Sequence, residues 1–377
     1  MGEALTVLVI IVGVAGVHWL LSDLEVLASD QDQPSGRVSV VIPARNEADS
    51  LPAVLRALRE SSLVPFEILV VDDDSLDETA VVARAGAARV VVPGPPPPGW
   101  TGKAWACHIG AEQSTGELIL FLDADTILAP DALGDLVTVL RREGGLVSVQ
   151  PFHEVRRAHE QLSAYFNAVS LIASGAFAPR PPDRPMAFGP CLLSSRGDYL
   201  RAGGHEAVRE AILDDIRLAE CFHASGLPVT VLAGGDRIRM RSYPAGLDQL
   251  ISGWGKNIGA GAASAAALPA LLTVAWIVAH HLVAVGAFTA GVAAASGALG
   301  AALWPTLGGW LVAWIVVAAQ LRAVLQRIGS FRWWTWALFP LPLLAFDVIF
   351  GLSILNTVVR RSVRWRGRDV AVGGVRS

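Results

Sequence analysis

Short runs of β-branched and aliphatic residues alternate with stretches of helical period between Arg37 and about Lys256. RVSVVIPA, FEILVVDD, ARVVVP, ELILFLDAD and GLVSVQP each read as a strand, closed by Pro, Asp or Gly. Helices fit between them over Glu47 to Glu60, Asp77 to Ala85, Lys103 to Gln113 and Pro130 to Arg142. Strand and helix in alternation predict a mostly parallel sheet covered on both faces, with ligands bound beyond the carboxyl ends of its strands.

The flanks follow a different pattern. Ala4 to Ser22 and Asn257 to Leu321 contain no Asp, Glu, Lys or Arg. The first is just long enough to cross a bilayer, and Glu3 before it with Asp23 and Glu25 after it favours an uncleaved anchor over a signal peptide. The second is long enough for two comfortable crossings or three tight ones, and two are favoured, near 269 to 292 and 302 to 321. A last apolar stretch, Trp333 to Val359, contains Pro340, Pro342 and Asp347, which argue against a straight spanning helix. Arginines stand on both sides of it: Arg322, Arg327 and Arg332 before, Arg360, Arg361, Arg364, Arg366 and Arg368 after. Basic flanks stay in the cytoplasm, so this stretch is expected to enter and return or to lie along the interface. The expected organisation is an anchor over 1–24, an α/β domain over 37–256, a membrane region over 257–359 and a basic cytoplasmic tail over 360–377. The segment Phe152 to Phe177 has a helical apolar pattern that suits either a membrane-surface helix or an ordinary packed one.

Composition agrees: 53% hydrophobic and 17% charged residues leave room for one sizeable water-facing domain plus bilayer segments. A formal charge of −4 gives no field suited to nucleic acid. Cys107, Cys191 and Cys221 form neither a metal motif nor a disulfide framework, which fits a reduced, cytosol-facing domain. The histidines lack metal spacing; His205 alone is kept as a site candidate.

Polar residues gather where the strands end. The first strand runs into Pro43-Ala44-Arg45-Asn46-Glu47, the second into Asp72-Asp73-Asp74-Ser75-Leu76-Asp77-Glu78-Thr79, the fourth into Asp123-Ala124-Asp125. Asp73 is suited to accept hydrogen bonds from a base or ribose; the plainer reading is that Asp74 and Ser75 cap the next helix. Asp123 and Asp125 point to opposite sides of an extended chain, so a turn is needed before both can serve one hard divalent cation. Such an ion would neutralise a diphosphate leaving group.

These segments, together with Gly102-Lys103-Ala104-Trp105-Ala106, Gly110 and Asp214-Asp215-Ile216-Arg217-Leu218, occur in the order seen in family 2 glycosyltransferases with the GT-A fold. The resemblance covers roughly residues 37 to 260. It implies a GT-A domain, a nucleotide-sugar donor with UDP preferred, and Mg²⁺ or Mn²⁺ as cofactor. It assigns Pro43, Ala44, Arg45, Glu47, Asp72 and Asp73 to the nucleoside, Lys103 to the base and phosphates, Asp123 to both the nucleotide sugar and the metal, and Asp125 to the metal. Asp215 falls on the general base of inverting transfer, and Asp214 stands where the family has Glu. A narrower likeness, carried by Pro98 to Lys103, Gly203 to Val208, Tyr243 to Gly246 and Gly253 to Asn257, is to the carotenoid-acid glycosyltransferases of the staphyloxanthin pathway and the hopanoid-associated glycosyltransferases. It implies a lipid-like acceptor, membrane lipids as surroundings and a multi-pass membrane protein with a cytoplasmic site. The Gln-x-x-Arg-Trp motif of processive synthases is missing; Trp254 and Lys256 are the candidate substitutes, or else an interfacial anchor. Polyprenyl phosphate, hopanoid or glycerolipid acceptors, a processive synthase and a silent scaffold stay open as alternatives.

Overall fold

A computed structural model describes residues 2–29, 35–254, 265–298, 303–360, 362–365 and 368–371. The chain divides into two compact units, one over 24–154 and 183–242, the other over 1–23, 155–182 and 243–377.

The first unit is the α/β domain. Its strands are β1 (Val38–Ala44), β2 (Glu67–Asp72), β3 (Arg89–Val91), β4 (Leu118–Leu122), β5 (Thr126–Leu128), β6 (Leu146–Gln150), β7 (Phe152–His153), β8 (Cys191–Ser195), β9 (Val229–Ala233) and β10 (Ile238–Met240). Seven of them form one sheet in the order β3-β2-β1-β4-β8-β6-β9, in which β8 alone runs against its neighbours. A small second sheet joins β5, β10 and β7. Helices α2 (Leu51–Arg59), α3 (Thr79–Ala85), α4 (Gly102–Gln113), α5 (Ala132–Glu143), α7 (Arg196–Arg201) and α8 (Asp214–Ala224) cover the sheet. The apolar runs fit this arrangement because strands buried on both faces have no polar side to show. Along β1, Val40 and Ile42 enter the core with Leu51, Leu55 and Leu58 of α2, while Val41 enters the opposite core with Ala106 and Cys107 of α4. Gly110 lets α4 lie close on β1: a Cβ there would stand 2.3 Å from Val41 Cγ1.

All five strands read from the pattern are present, each trimmed by a residue or a few. The four helices are present: α2 and α3 start later than expected, α4 starts one residue earlier, and α5 starts two residues later and ends one later. Missing from that reading are β8 and β9, and the short β5, β7 and β10.

The second unit holds α1 (Gly2–Leu20), α6 (Ala164–Ser174), a helix over 247–254 (α9), α10 (Ala267–Ala295), α11 (Leu303–Ile328), α12 (Trp333–Ala337), α13 (Pro340–Arg360) and a terminal hairpin of β11 (Ser362–Trp365) and β12 (Arg368–Ala371). Among the described residues, two helices are long and apolar enough to cross a membrane, Ala267–Ala295 and Thr306–Ile328, while the apolar part of α1, Ala4–Leu20, is shorter. Gly13 and Gly16 allow α1 to press on α10, since a Cβ at Gly13 would meet Ala275 O and one at Gly16 would meet Leu272 Cδ2, each at 2.9 Å. Gln320 of α11 ties three helices, donating to Val14 O at 2.6 Å and accepting from Trp276 Nε1 at 2.9 Å. Such side-chain links have no competing water in an apolar bundle.

The last apolar stretch absorbs its three awkward residues. Pro340 opens α13 and Pro342 lies in the first turn, where no backbone N–H is needed, and the break falls at Leu338 and Phe339. Asp347 pairs with His281 of α10 at 2.8 Å, and His281 Nδ1 donates to Ile277 O at 2.9 Å. Residues 155–182 belong to this unit, and their helix α6 packs on α10, α11 and α13. That is the packed-helix alternative for the segment beginning at Phe152.

Candidate active site

Parallel pairing brings the strand ends to one edge. Ala44 stands opposite Asp72, and Val41 opposite Phe121, two residues before Asp123. The loops after β1 and β2 are interlocked by hydrogen bonds. Asn46 N donates to Ser75 Oγ at 2.9 Å and Leu76 N to Asn46 Oδ1 at 2.7 Å. Glu47 N donates to Thr79 Oγ1 at 2.8 Å, and Ala48 N to Asp77 Oδ2 at 3.1 Å. Asn46 and Asp74 take positive φ, 54° and 58°, a conformation these two residue types tolerate better than most. Asp74 and Ser75 therefore do not cap α3. Ser75 is spent on Asn46, and Asp77 accepts from Thr79 N at 3.0 Å.

Arg45 crosses between the loops: its Nη1 donates to Asp73 O at 2.8 Å and lies 3.7 Å from Asp73 Oδ2. Asp72 Oδ1 accepts from Ser75 N at 3.0 Å. Arg45, Asp72 and Asp73 are all buried, and Pro43 and Glu47 half-buried beside them. The start of α4 meets this cluster. Thr101 caps the helix through Ala104 N, and a Cβ on Gly102 would lie 2.4 Å from Asp73 Oδ2. Gly102→Ala is expected to displace the Asp73 carboxylate and weaken nucleotide binding about tenfold, equivalent to about 1.4 kcal/mol. Titration of UDP by calorimetry checks this; unchanged affinity would mean Asp73 does not touch the nucleotide.

Beyond β4 the chain turns, with Thr126 N donating to Asp123 O at 3.0 Å. At this turn Ala124 points into the core, while Asp123 and Asp125 stay half-buried. Lys103 Nζ lies 2.7 Å from Asp123 Oδ1. Burial opposes the charge on Lys103, but Asp123 and then Asp214 more than offset it, and the ammonium is held above its ordinary value. Among the described residues no three His, Cys, Asp or Glu side chains converge as a metal cage. Two half-buried carboxylates on a turn still fit a hard cation of the Mg²⁺ or Mn²⁺ type, which keeps waters and takes further oxygens from substrate phosphates.

Asp214 and Asp215 open α8. Asp215 Oδ2 accepts from Gly189 N at 2.8 Å and Oδ1 from Ile216 N at 2.9 Å. It is half-buried by surface yet recessed among protein atoms. Burial first and the like charge of Asp214 second raise it to about 6, against Lys103 and the two amides. Cys107 and Cys191, whose thiols burial raises, are buried and carry no thiolate chemistry. His205 is a core residue. Its amide donates to Tyr199 Oη at 2.9 Å, and the same hydroxyl is hydrogen-bonded to His205 Nδ1, also at 2.9 Å. Burial lowers the imidazole to about 3 and keeps it neutral.

Asp123, Lys103, Asp214 and Asp215 thus share one electrostatic neighbourhood, and Arg45, Asp72 and Asp73 form the loop cluster at the same sheet edge. Trp254 falls in the other unit, at the end of α9, where it stacks on Phe166 at 5.0 Å and meets Tyr243 at 5.9 Å. There its ring is buried in the packing of that unit. Lys256 lies outside the described residues. What the sequence reading missed is the amide of Gly189, just before β8, which fixes Asp215; the Gly189-Pro190 pair ahead of a short apolar run was its one visible signal.

Residues 39–169 match the family model described as glycosyl transferase family 2. The chain is 30% identical over 346 residues to a 4,4'-diaponeurosporenoate glycosyltransferase of Staphylococcus aureus (strain MRSA252), covering 89% of this chain and 88% of that protein. It belongs to glycosyl transferase family 2. A second such enzyme, from Staphylococcus haemolyticus, is 35% identical over 248 residues, 64% of this chain and 66% of the relative. Among solved structures, a mannosyltransferase of Pyrobaculum calidifontis in complex with GDP-Man and Mn²⁺ is 20% identical with a TM-score of 0.49, over 93% of this chain and 99% of that one. This family 2 glycosyltransferase has a GT-A-like α/β fold and acts on a nucleotide sugar.

Proposed function

We propose that this family 2 glycosyltransferase moves a sugar, with inversion, from a nucleotide-diphosphate sugar of the UDP type to a carotenoid acid or similar lipid-like acceptor at the cytoplasmic face of the membrane. The observation that carries this is the 30% identity to a diaponeurosporenoate glycosyltransferase, which extends over 89% of the chain and so includes apolar helices as well as the catalytic unit. The two long apolar helices and the unpaired cysteines support a membrane site facing a reducing compartment. Arg322, which lies 5.3 Å over the Trp336 ring, gives α11 and α12 the interfacial character expected on that face. In this reading the stretch from Trp333 bends at Leu338 and Phe339, and α13, a single helix, lies at the interface, leaving the tail cytoplasmic.

In this reading the nucleoside rests against Pro43 to Glu47 and Asp72 to Asp73. Lys103 holds the diphosphate. Asp123 and Asp125 would hold Mg²⁺ or Mn²⁺, whose chemistry when bound is charge neutralisation on the departing nucleoside diphosphate. Asp215 takes the acceptor proton. An acid delivered from apolar surroundings arrives protonated, and a base raised to about 6 is matched to receive that proton.

The pH dependence follows from the same value. Activity needs the Asp215 carboxylate, so turnover should fall as pH drops through about 6 rather than near the ordinary aspartate value of 3.8. Stability runs the other way. A folded value above the unfolded one means the folded chain prefers the protonated acid, so that contribution is full below 3.8 and is lost as pH rises through about 6. A pH–rate profile with no limb between 5 and 7 would remove Asp215 from the role.

Lipid mass spectrometry tests the assignment. A host making a polyene carboxylic acid and expressing this chain should accumulate its glycosyl ester, and an Asp215→Asn control should not. Glycosylated polyprenyl phosphate, hopanoid or glycerolipid in place of the ester would overturn the acceptor.

A further inference from the structure

We infer that Lys103 is a positioning residue that competes with a divalent cation for Asp123, so that the nucleotide diphosphate is what lets the cation bind. The inference rests on the reading of Asp123 as a metal carboxylate and extends it.

Three observations carry it. Lys103 lies in the first turn of α4, whose start is fixed by the Thr101 cap and by the close approach of Gly102 to Asp73. Its backbone therefore has little freedom, while the four-carbon stem and point-charge ammonium above it can swing. Next, Nζ sits 2.7 Å from Asp123 Oδ1, an oxygen a cation at this turn would use. Last, Asp214, from the start of a different element, also favours the charge on Lys103. The ammonium is thus paired with the carboxylate after β4 and attracted from further off by one at the head of α8.

A cation brought alone to Asp123 meets a positive charge already within ion-pair distance. To bind, it must displace the ammonium from its short contact with Asp123 and leave it only the more distant attraction of Asp214, and a partly buried charge that loses its ion pair is costly. A diphosphate removes the conflict because its anionic oxygens serve both cations. Lys103 moves onto a phosphate oxygen, and Asp123 turns to the metal. Cation and nucleotide then bind with positive coupling, and each raises the other's affinity by the same factor.

The test uses the full chain in detergent and Mn²⁺ as the probe, with free ion read by electron paramagnetic resonance. In the wild type, saturating UDP should tighten Mn²⁺ binding by at least about tenfold, and saturating Mn²⁺ should tighten UDP by the same factor. Phosphate oxygens alone would give part of that coupling, so the deciding readout is Mn²⁺ without nucleotide. Lys103→Met keeps the length and removes the charge; it should bind Mn²⁺ alone at least about tenfold more tightly than the wild type and show a smaller UDP effect. Lys103→Arg keeps the charge and should retain the wild-type weakness toward Mn²⁺ alone. Equal Mn²⁺ affinity in the wild type and Lys103→Met, or wild-type Mn²⁺ binding that ignores UDP, overturns the inference while leaving Asp123 as a ligand. Failure of the wild type to take up Mn²⁺ even with UDP overturns the metal reading itself. Should Lys103→Met melt well below the wild type, Lys103→Gln is the replacement, and the wild-type coupling remains decisive.

Discussion

Asp215→Asn should leave UDP affinity within about threefold of the wild type and lower turnover by ~10²- to 10⁴-fold, the usual contribution of a general base. The amide keeps the size of the side chain, and its oxygen can still accept from Gly189 N, which holds Asp215 Oδ2 at 2.8 Å. What it cannot do is take a proton. The limb of the pH–rate profile near 6 should disappear in the variant, because burial and Asp214 place that limb on Asp215. Single-turnover kinetics with saturating donor are the measurement of choice, since they separate chemistry from product release. A loss of less than about tenfold would mean that the acceptor arrives already ionised and that Asp215 only orients it.

Asp123→Ala should abolish divalent-ion-dependent donor binding and, with it, transfer, while the domain still folds. The carboxylate is half-buried at the end of β4, and its removal leaves no cavity in either core, so the melting temperature should move little. It also leaves Lys103 with only the more distant attraction of Asp214 in a recessed position. Freed from its ion pair, the ammonium is expected to take a phosphate oxygen more readily, so donor affinity without metal should rise. Asp125→Ala should lose metal-dependent binding as well, but its effect on metal-free donor affinity should be smaller, because the short contact to Lys103 belongs to Asp123. Transfer that continues undiminished in excess chelator would defeat both expectations together.

The local pattern was enough to read β1, β2, β3, β4 and β6 and the helices between them. Strands of a parallel sheet buried on both faces are continuous apolar runs, and each here ends in Pro, Asp or Gly. For the same reason the polar strand ends, Pro43 to Glu47, Asp72 to Thr79 and Asp123 to Asp125, could be gathered at one edge before any coordinates, because ligands of such sheets bind there. The two long apolar helices were legible from the absence of charge over Asn257 to Leu321. β8 and β9 were not, being five-residue strands without alternation or flanking signals strong enough to separate them from loop.

Tertiary structure alone decided which polar groups meet. No sequence rule pairs Lys103 with Asp123, sets Asp214 near both, or directs the Gly189 amide to Asp215. Those contacts arise from antiparallel β8 entering the sheet beside β4 and from α4 lying close on β1 over Gly110. Likewise, Pro340, Pro342 and Asp347 looked like obstacles to a helix along the chain. Three-dimensional packing gave the prolines the first turn of α13 and gave Asp347 a partner in His281, sixty-six residues away in sequence. Pattern and period specify elements because they act between neighbours in the chain. The environment of an ionisable group depends on residues far apart in sequence, so its charge and partner are fixed only when the fold brings them together.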